Sequence, residues 1–261
     1  MENCLSPEFQ ELRSRIADFV KVELLPISTE VEKEACIPEY IVQSMRRLGL
    51  FGLSIPKRYG GLGLSTHEEI LIYEEITKTN ACYRSRIGTS NGIGSMGILY
   101  DGTEEQKEKY LSRIASGEWT AAFALTEPNA GSDAANISTT AVLDGDHWVL
   151  NGSKQFITNA DTAHVFTTIA LTDEKKRAKG GVTAFVIERG APGFSIGAAD
   201  LKMGLKGSHT HELIFKDCRI PKESVIGGVD NVGQGFKTEM RVLDKGRLSM
   251  GACTLAAAKK V

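Results

Sequence analysis

At Gly117 the hydrophobic period of the chain changes from helical to strand-like, and after Gly233-Gln234-Gly235 it changes back. Two such switches in 261 residues restrict the fold to an α+β multidomain arrangement in which a sheet is bracketed by helices. Before the first switch, Phe9, Leu12, Ile16, Phe19 and Val20 recur at helical spacing from Pro7 to about Leu25, and Pro26 ends the run. A second helix is expected from Pro38 to Gly49 through Ile41, Val42, Met45 and Leu48. Thr66 with Glu69, and Thr103 with Gln106, read as capping boxes that open two more.

After Gly117 the pattern is that of strands. Trp119 to Leu125, Ile137 to Leu143, His147 to Leu150, Val165 to Leu171, Val182 to Ile187 and His211 to Ile220 are expected strands. Asp144-Gly145 reads as a hairpin turn and Asn151-Gly152 as another turn. The charged run from Asp173 to Lys179 reads as a solvated loop. From Phe236 onward, Met240, Val242, Leu243, Leu248 and the alanines up to Ala258 restore the helical period, and the chain reads as ending inside that helix. The expected domains are therefore an all-α unit over 1–116, an antiparallel, β-barrel-like unit over 117–229, and over 230–261 the first helix of a truncated α-bundle.

Composition removes several function classes. A formal net charge of -2 with 25% charged residues gives no electrostatic footprint for nucleic acid. No apolar run approaches the roughly 18 residues of a membrane span, and the N-terminus lacks the basic start and apolar core of a signal peptide. The five cysteines, Cys4, Cys36, Cys82, Cys218 and Cys253, are scattered and read as reduced thiols. Cytoplasmic residence is the expectation, with the mitochondrial matrix left open. His209 and His211 share a strand face, but the neighbouring sequence supplies no further ligand, so a polar strand edge is expected and no metal. The string from Gly92 to Gly97 matches G-x-G-x-x-G, yet no strand precedes it; its small residues are expected to let helices approach or to shape a pocket wall. The glycine-rich run from Leu53 to Leu64 lacks the lysine ending of a phosphate loop.

The chemistry is concentrated where the apolar strand Ala121–Leu125 becomes the polar loop Thr126–Asp133. Pro128 biases Glu127 toward an extended backbone, and Gly131 lets the loop turn close to a bound group. Three strings, LTEPNAGSD at 125–133, NGSKQFITN at 151–159 and LDKGRL at 243–248, stand in an order and spacing that resembles the acyl-CoA dehydrogenase family over the whole chain. That resemblance implies a helical domain, a β-domain and a helical bundle. It also implies FAD as cofactor, an acyl-CoA oxidised to its trans-2-enoyl product, an electron-transfer flavoprotein as electron acceptor and a homotetramer, with a place in fatty-acid and lipid metabolism.

Carried onto this sequence, the resemblance implies that Phe123, Leu125, Thr126, Gly131 and Ser132 line the flavin, with Phe156, Ile157 and Thr158 as its other wall. Ser132 would also face the acyl-CoA, and Asp244 and Arg247 would meet the coenzyme A portion. Spaced three apart on a helix, those last two can equally form an ion pair with each other. The sequence departs from the pattern at Phe156, where many members carry tryptophan, and at Gly246, where one branch carries its catalytic glutamate. The base is therefore expected beyond Val261, Glu127 being a residue of loop structure. The rival readings are a flavin oxidase or monooxygenase, a noncatalytic FAD or acyl-CoA binding fragment, and a nucleic-acid-binding relative.

Overall fold

The computed structural model describes residues 5–260; Cys4, the N-terminal start and Val261 lie outside the described residues. The N-terminal part is built from α1 (Pro7–Phe19), α2 (Ser28–Glu34), α3 (Glu39–Arg47), α4 (Thr66–Ile76), α5 (Cys82–Asn91), α6 (Met96–Asp101) and α7 (Glu104–Ala115). Ser6 caps α1 by accepting the Phe9 N–H at 3.2 Å, and the helix runs on as one wider π-helical turn to Leu24. Thr103 and Gln106 form the expected capping box of α7.

Three details differ from the sequence reading. Ser65, not Thr66, caps α4, and its box partner is Glu68. Glu69 is thereby released from a capping role and turned inward, where it is buried. Pro38 is the residue before α3 rather than its first turn, since its ψ of 142° is extended. Helix α2 was not expected, because Val31 is its only buried residue and no apolar period announces it.

The sheet contains β1 (Ala121–Ala124), β2 (Thr140–Asp144), β3 (His147–Thr158), β4 (Val165–Leu171), β5 (Val182–Glu188), β6 (Phe194–Ala199) and β7 (Thr210–Pro221). Its order is β1-β4-β2-β3-β7-β6, with β5 also on β4. Strand β4, buried along its whole length, carries β5 on one edge. On the other edge it carries β1 in parallel and then a single parallel pair with β2, Thr140 opposite Leu171. All remaining pairings are antiparallel, and the sheet curls as expected of a half-barrel. Asn151-Gly152 is not a turn: Gly152 sits at a register shift within the twelve-residue β3, a bulge that bends the strand without ending it.

Helix α8 (Gly235–Lys260) returns across the helical layer against α4 and α6 and packs its start on β5. Only glycine fits at that start, because a Cβ on Gly235 would lie 2.5 Å from the backbone of Thr183. One apolar core, with Met96, Leu111, Phe123, Ile169 and Val242, joins helices to sheet, and another, with Phe166, Phe185, Ile157 and Leu213, fills the curl of the sheet. Cys82, Cys218 and Cys253 are buried free thiols and Cys36 is exposed. Among the described residues, no helix is long and apolar enough to cross a membrane.

Candidate functional site

Beyond Ala124 the chain leaves β1 and doubles back, with Glu127 and Ala130 exchanging backbone hydrogen bonds of 3.0 and 3.1 Å. Pro128 sits inside this turn, where its missing N–H costs nothing. The Glu127 carboxylate points inward and accepts from Lys154 Nζ at 2.7 Å, Ser138 N at 2.6 Å, Ser138 Oγ at 2.7 Å and Thr139 N at 3.0 Å. Both side chains of the ion pair are out of solvent, Lys154 at 0% and Glu127 at 2% exposure. Burial alone would raise the Glu127 carboxyl; the Lys154 ammonium and the hydrogen bonds outweigh it and hold the group at about 2. A carboxylate with four donors and that acidity cannot take a proton from carbon. Glu127 anchors the loop.

The same lysine joins the two signature strings. Lys154 also donates to the Leu125 carbonyl at 3.1 Å, and the Gln155 N–H donates to the Thr126 carbonyl at 2.7 Å. The residues after β1 are thus fastened to the middle of β3. There β3 shifts register between Lys154 and Ile157, and Phe156 takes a left-handed φ of 60°. The bulge turns the Phe156 ring outward to 57% exposure, while Ile157 points into the sheet core and Thr158 reaches the wall of a cleft.

The proposed flavin-lining residues therefore divide by what they can offer. Phe123, Leu125 and Ile157 are buried in the apolar cores, so their backbone alone is available. Phe156 offers a ring. The hydroxyls of Thr126, Ser132 and Thr158 bond no other described residue. Ser132 stands in an exposed loop with Gly131, where an added Cβ would meet nothing within 4 Å. An exposed ring, free hydroxyls and strand-end backbone fit a flat aromatic group with a polar edge.

From Thr158 a cleft of about 490 Å³ runs between α4, α5 and α8. Ile70, Tyr73, Ile93, Leu243 and Met250 give it apolar walls, and Gly88 and Gly92 widen it. The neighbouring Gly94 has the packing role: its Cβ would lie 2.8 Å from the Thr89 carbonyl and 2.9 Å from the Ala121 backbone, so it lets the α5–α6 turn touch β1. Deep in the cleft Glu69 is held by Lys245 at 3.0 Å and by the Tyr73 hydroxyl at 2.9 Å. The Arg84 guanidinium lies over the Tyr73 ring and donates through Nη2 to Ser249. Its Nε is buried and has no partner. At the cleft wall Gly246 contributes no side chain, and Arg247 forms an intrahelical pair with Asp244, both exposed. The ion pair and the site role are compatible, since Arg247 lines the cleft and Asp244 orients it.

Lys154, Arg84 and Lys245 were not singled out by sequence, and Glu69 only as a capping residue. Lys154 does carry a signal, being a charged residue at an inward position of an alternating strand. Beneath the same strands α8 contributes Glu239, fully buried, with both carboxylate oxygens unpartnered. Burial pushes this carboxyl up to about 7, against the pull of Lys154.

A helical layer, a curled sheet and an apolar cleft that reaches the end of β3 at Thr158 define the architecture around the site. The family follows from comparison: residues 6–118 match the model of the acyl-CoA dehydrogenase N-terminal domain, and residues 122–218 that of the middle domain. The chain is 41% identical over 261 residues to acryloyl-CoA reductase (NADH) of Anaerotignum propionicum, covering 99% of this chain and 65% of that protein. It is 39% identical to the short-chain specific acyl-CoA dehydrogenase of Clostridium acetobutylicum, covering 99% and 67%. The butyryl-CoA dehydrogenase structure from Megasphaera elsdenii superposes with a TM-score of 0.92 at 36% identity, covering 98% of this chain and 67% of that one. The chain belongs to the acyl-CoA dehydrogenase family and spans about two thirds of the length of these relatives.

Proposed function

We propose that this chain forms the flavin- and thioester-binding part of an enzyme that converts an acyl-CoA to its trans-2-enoyl-CoA, with FAD as cofactor. One observation carries the reading: the loop at Thr126 is fastened to β3 beside the outturned Phe156, and Thr158, two residues further on, lines an apolar cleft. FAD, when bound, supplies the acceptor for the hydride leaving Cβ. The protein's part is to pack Phe156 against the ring, to offer the Thr126 and Thr158 hydroxyls to its polar edge, and to seat the acyl chain in the dry cleft. Backbone groups from Phe123 to Ser132 and at Ile157 complete that wall, with Gly131 giving clearance. Ser132 faces the thioester, and Arg247, oriented by Asp244, faces the coenzyme A portion.

The base is proposed to lie outside these 261 residues. Among the described residues, the one carboxylate lining the cleft is Glu69, already bound by Lys245 and Tyr73. An electron-transfer flavoprotein as acceptor, a homotetramer, a role in fatty-acid metabolism and residence in the cytoplasm belong to the same proposal. The relative named as a reductase suggests the reverse direction, and a site that positions Cα and Cβ for removal of hydrogen positions them equally for its addition.

A second reading of the substrate, an acyl chain ending in a carboxylate, rests on Arg84, a cleft guanidinium with one buried N–H unbonded. Anaerobic mixing of the flavin-loaded chain with butyryl-CoA and glutaryl-CoA tests both readings. Thioester binding should perturb the flavin absorption band without bleaching it at catalytic rates. Bleaching at ordinary turnover rates would show that the chain holds its own base, and indifference to every acyl-CoA would overturn the site.

A further inference from the structure

We propose that Asp161, His209 and His211 bind a divalent transition-metal ion of the zinc class, where the exit of β3 meets the start of β7, next to Ile157 and Thr158. Sequence adjacency could not assemble this set. Asp161 follows β3 in a turn, His209 immediately precedes β7 and His211 lies in it, and Ala35, the residue that caps the end of α2, closes over them.

One ligand atom from each of the three side chains lies within 4.8 Å of the others. His209 Nδ1 is 2.6 Å and His211 Nε2 3.9 Å from Asp161 Oδ2. The outer atoms of all three are already committed to the backbone. His209 Nε2 lies 2.6 Å from the Ala35 carbonyl and His211 Nδ1 lies 2.9 Å from the Gly197 carbonyl. A carbonyl can only accept, so each of these nitrogens carries a proton; His211 Nε2 then presents a lone pair, while His209 Nδ1 also donates to Asp161 Oδ2, with a proton that a metal ion would displace. Asp161 Oδ1 accepts the Thr162 N–H at 3.0 Å, which leaves Oδ2 facing the imidazoles. Arg189 fixes the turn itself by donating to the Asp161 carbonyl at 2.8 Å.

Two ring nitrogens and a carboxylate oxygen therefore converge, and one of them, His211 Nε2, faces the group with an unused lone pair. A proton on His209 Nδ1 would join His209 to Asp161 only. It would leave His211 Nε2, in a side chain just 9% exposed, buried with no hydrogen-bond partner, as it stands here. A metal ion answers all three groups at once. Imidazole rings whose second N–H is held by a backbone carbonyl are the common arrangement around zinc, because the outer bond fixes tautomer and orientation. Two imidazole nitrogens and one carboxylate oxygen suit zinc, cobalt or nickel better than magnesium or calcium.

The spacing is workable. Ligands at about 2.0–2.1 Å in a tetrahedron lie about 3.3 Å apart, between the two separations found here. Asp161 and His209 are 32% and 34% exposed, so they can open slightly and a water can complete the coordination. The opposing charges are Lys202, whose ammonium is held on the Ser208 carbonyl, and the Arg86 guanidinium, which faces Asp161. An ion here would tie the end of α2, the exit of β3 and the start of β7 together, a structural role beside the proposed flavin wall, since His211 pairs with Ile157 and Thr210 with Thr158.

Untagged, chelator-treated protein titrated with Zn2+ by calorimetry should take up one ion per chain, and zinc should raise its melting temperature. Co2+ should give the visible bands of a nitrogen and oxygen site, without a sulfur charge-transfer band. His211→Gln and Asp161→Asn should each weaken binding at least tenfold and abolish the thermal shift, with circular dichroism checking that both variants fold. The exposed Asp161 makes the second variant the safer one. Cys36→Ser should leave binding unchanged. Failure to bind zinc, unaltered binding in Asp161→Asn, or a thiolate band lost in Cys36→Ser would each overturn the proposal.

Discussion

Replacing Glu239 by glutamine should stabilise the protein at alkaline pH and leave it unchanged in weak acid. The carboxyl is fully buried on α8, with neither oxygen hydrogen-bonded, and burial raises it from an ordinary 4.5 to about 7. Its folded-state value lies above its unfolded one, so the proton favours the folded state. The stability this group permits is fully present below pH 4.5 and is lost as pH rises through about 7. At about 1.36 kcal/mol per pH unit, the interval comes to about 3 kcal/mol. Glu239→Gln keeps the shape and removes the titration. It should match wild type at pH near 5 and exceed it by up to about 3 kcal/mol near pH 8.5, or roughly 6–12 °C in melting temperature for a chain of this size. Some of the gain is given back, because the Lys154 ammonium loses a neighbouring negative charge. Urea and thermal unfolding of both proteins at the two pH values measure the difference, in which all other titrations cancel. A variant less stable than wild type near pH 8.5 would refute the reasoning, since it would show Glu239 ionised and bonded to Lys154.

Three further substitutions probe the scaffold and the cleft. Lys154→Met leaves the Glu127 carboxylate buried beside Ser138 and Thr139 alone and should cost about 3–5 kcal/mol in urea unfolding, much of it recovered in the double variant with Glu127→Gln. In wild type the Glu127 contribution has the opposite sign to that of Glu239: present above pH 4.5, it should fade as pH falls toward 2 in an acid titration. Gly94→Val drives a side chain into backbone at 2.8 and 2.9 Å, which cannot yield as a side chain would; a loss of about 1–3 kcal/mol, with weaker flavin retention, is expected. Arg84→Gln should lower kcat/KM for glutaryl-CoA about 10–100-fold in an enzyme that carries its base, while butyryl-CoA changes little.

What the sequence disclosed is what is local. The Thr103 and Gln106 box, the Asp144-Gly145 hairpin and the apolar run of β4 each carry their signal within a few residues. Helix α2 and strand β6 carry little: α2 buries a single residue, and β6 is a partly exposed edge strand. The capping error at Thr66 had a larger consequence than one residue. It assigned Glu69 to a helix end, when that side chain lies in the cleft beneath Lys245, 176 positions away in sequence. The cleft was legible only in part, in the small residues from Gly92 that were expected to shape a pocket wall. Its walls come from α4, α5 and α8, and only packing brings those helices to Thr158.

The buried charges show how such packing decides chemistry that composition leaves open. Lys154 is one ammonium acted on by two buried carboxyls, Glu127 and Glu239. Ionising both would leave a net negative charge in the interior, a costly arrangement in a medium of low polarity. Local donors settle which acid keeps its charge. Glu127 has Lys154, Ser138 and Thr139 within 3.0 Å, whereas Glu239 has no hydrogen bond at all. Glu127 is therefore the anion that locks the loop to β3, and Glu239 holds its proton through weak acid. The loop that carries Thr126 and Ser132 owes its position to this division, because a proton on Glu127 would turn an ion pair into an ammonium with only the Leu125 carbonyl and a neutral acid for company. The two acids, 112 positions apart, look alike in sequence; the hydrogen bonds around each assign one to structure and leave the other as a titrating group beneath the site.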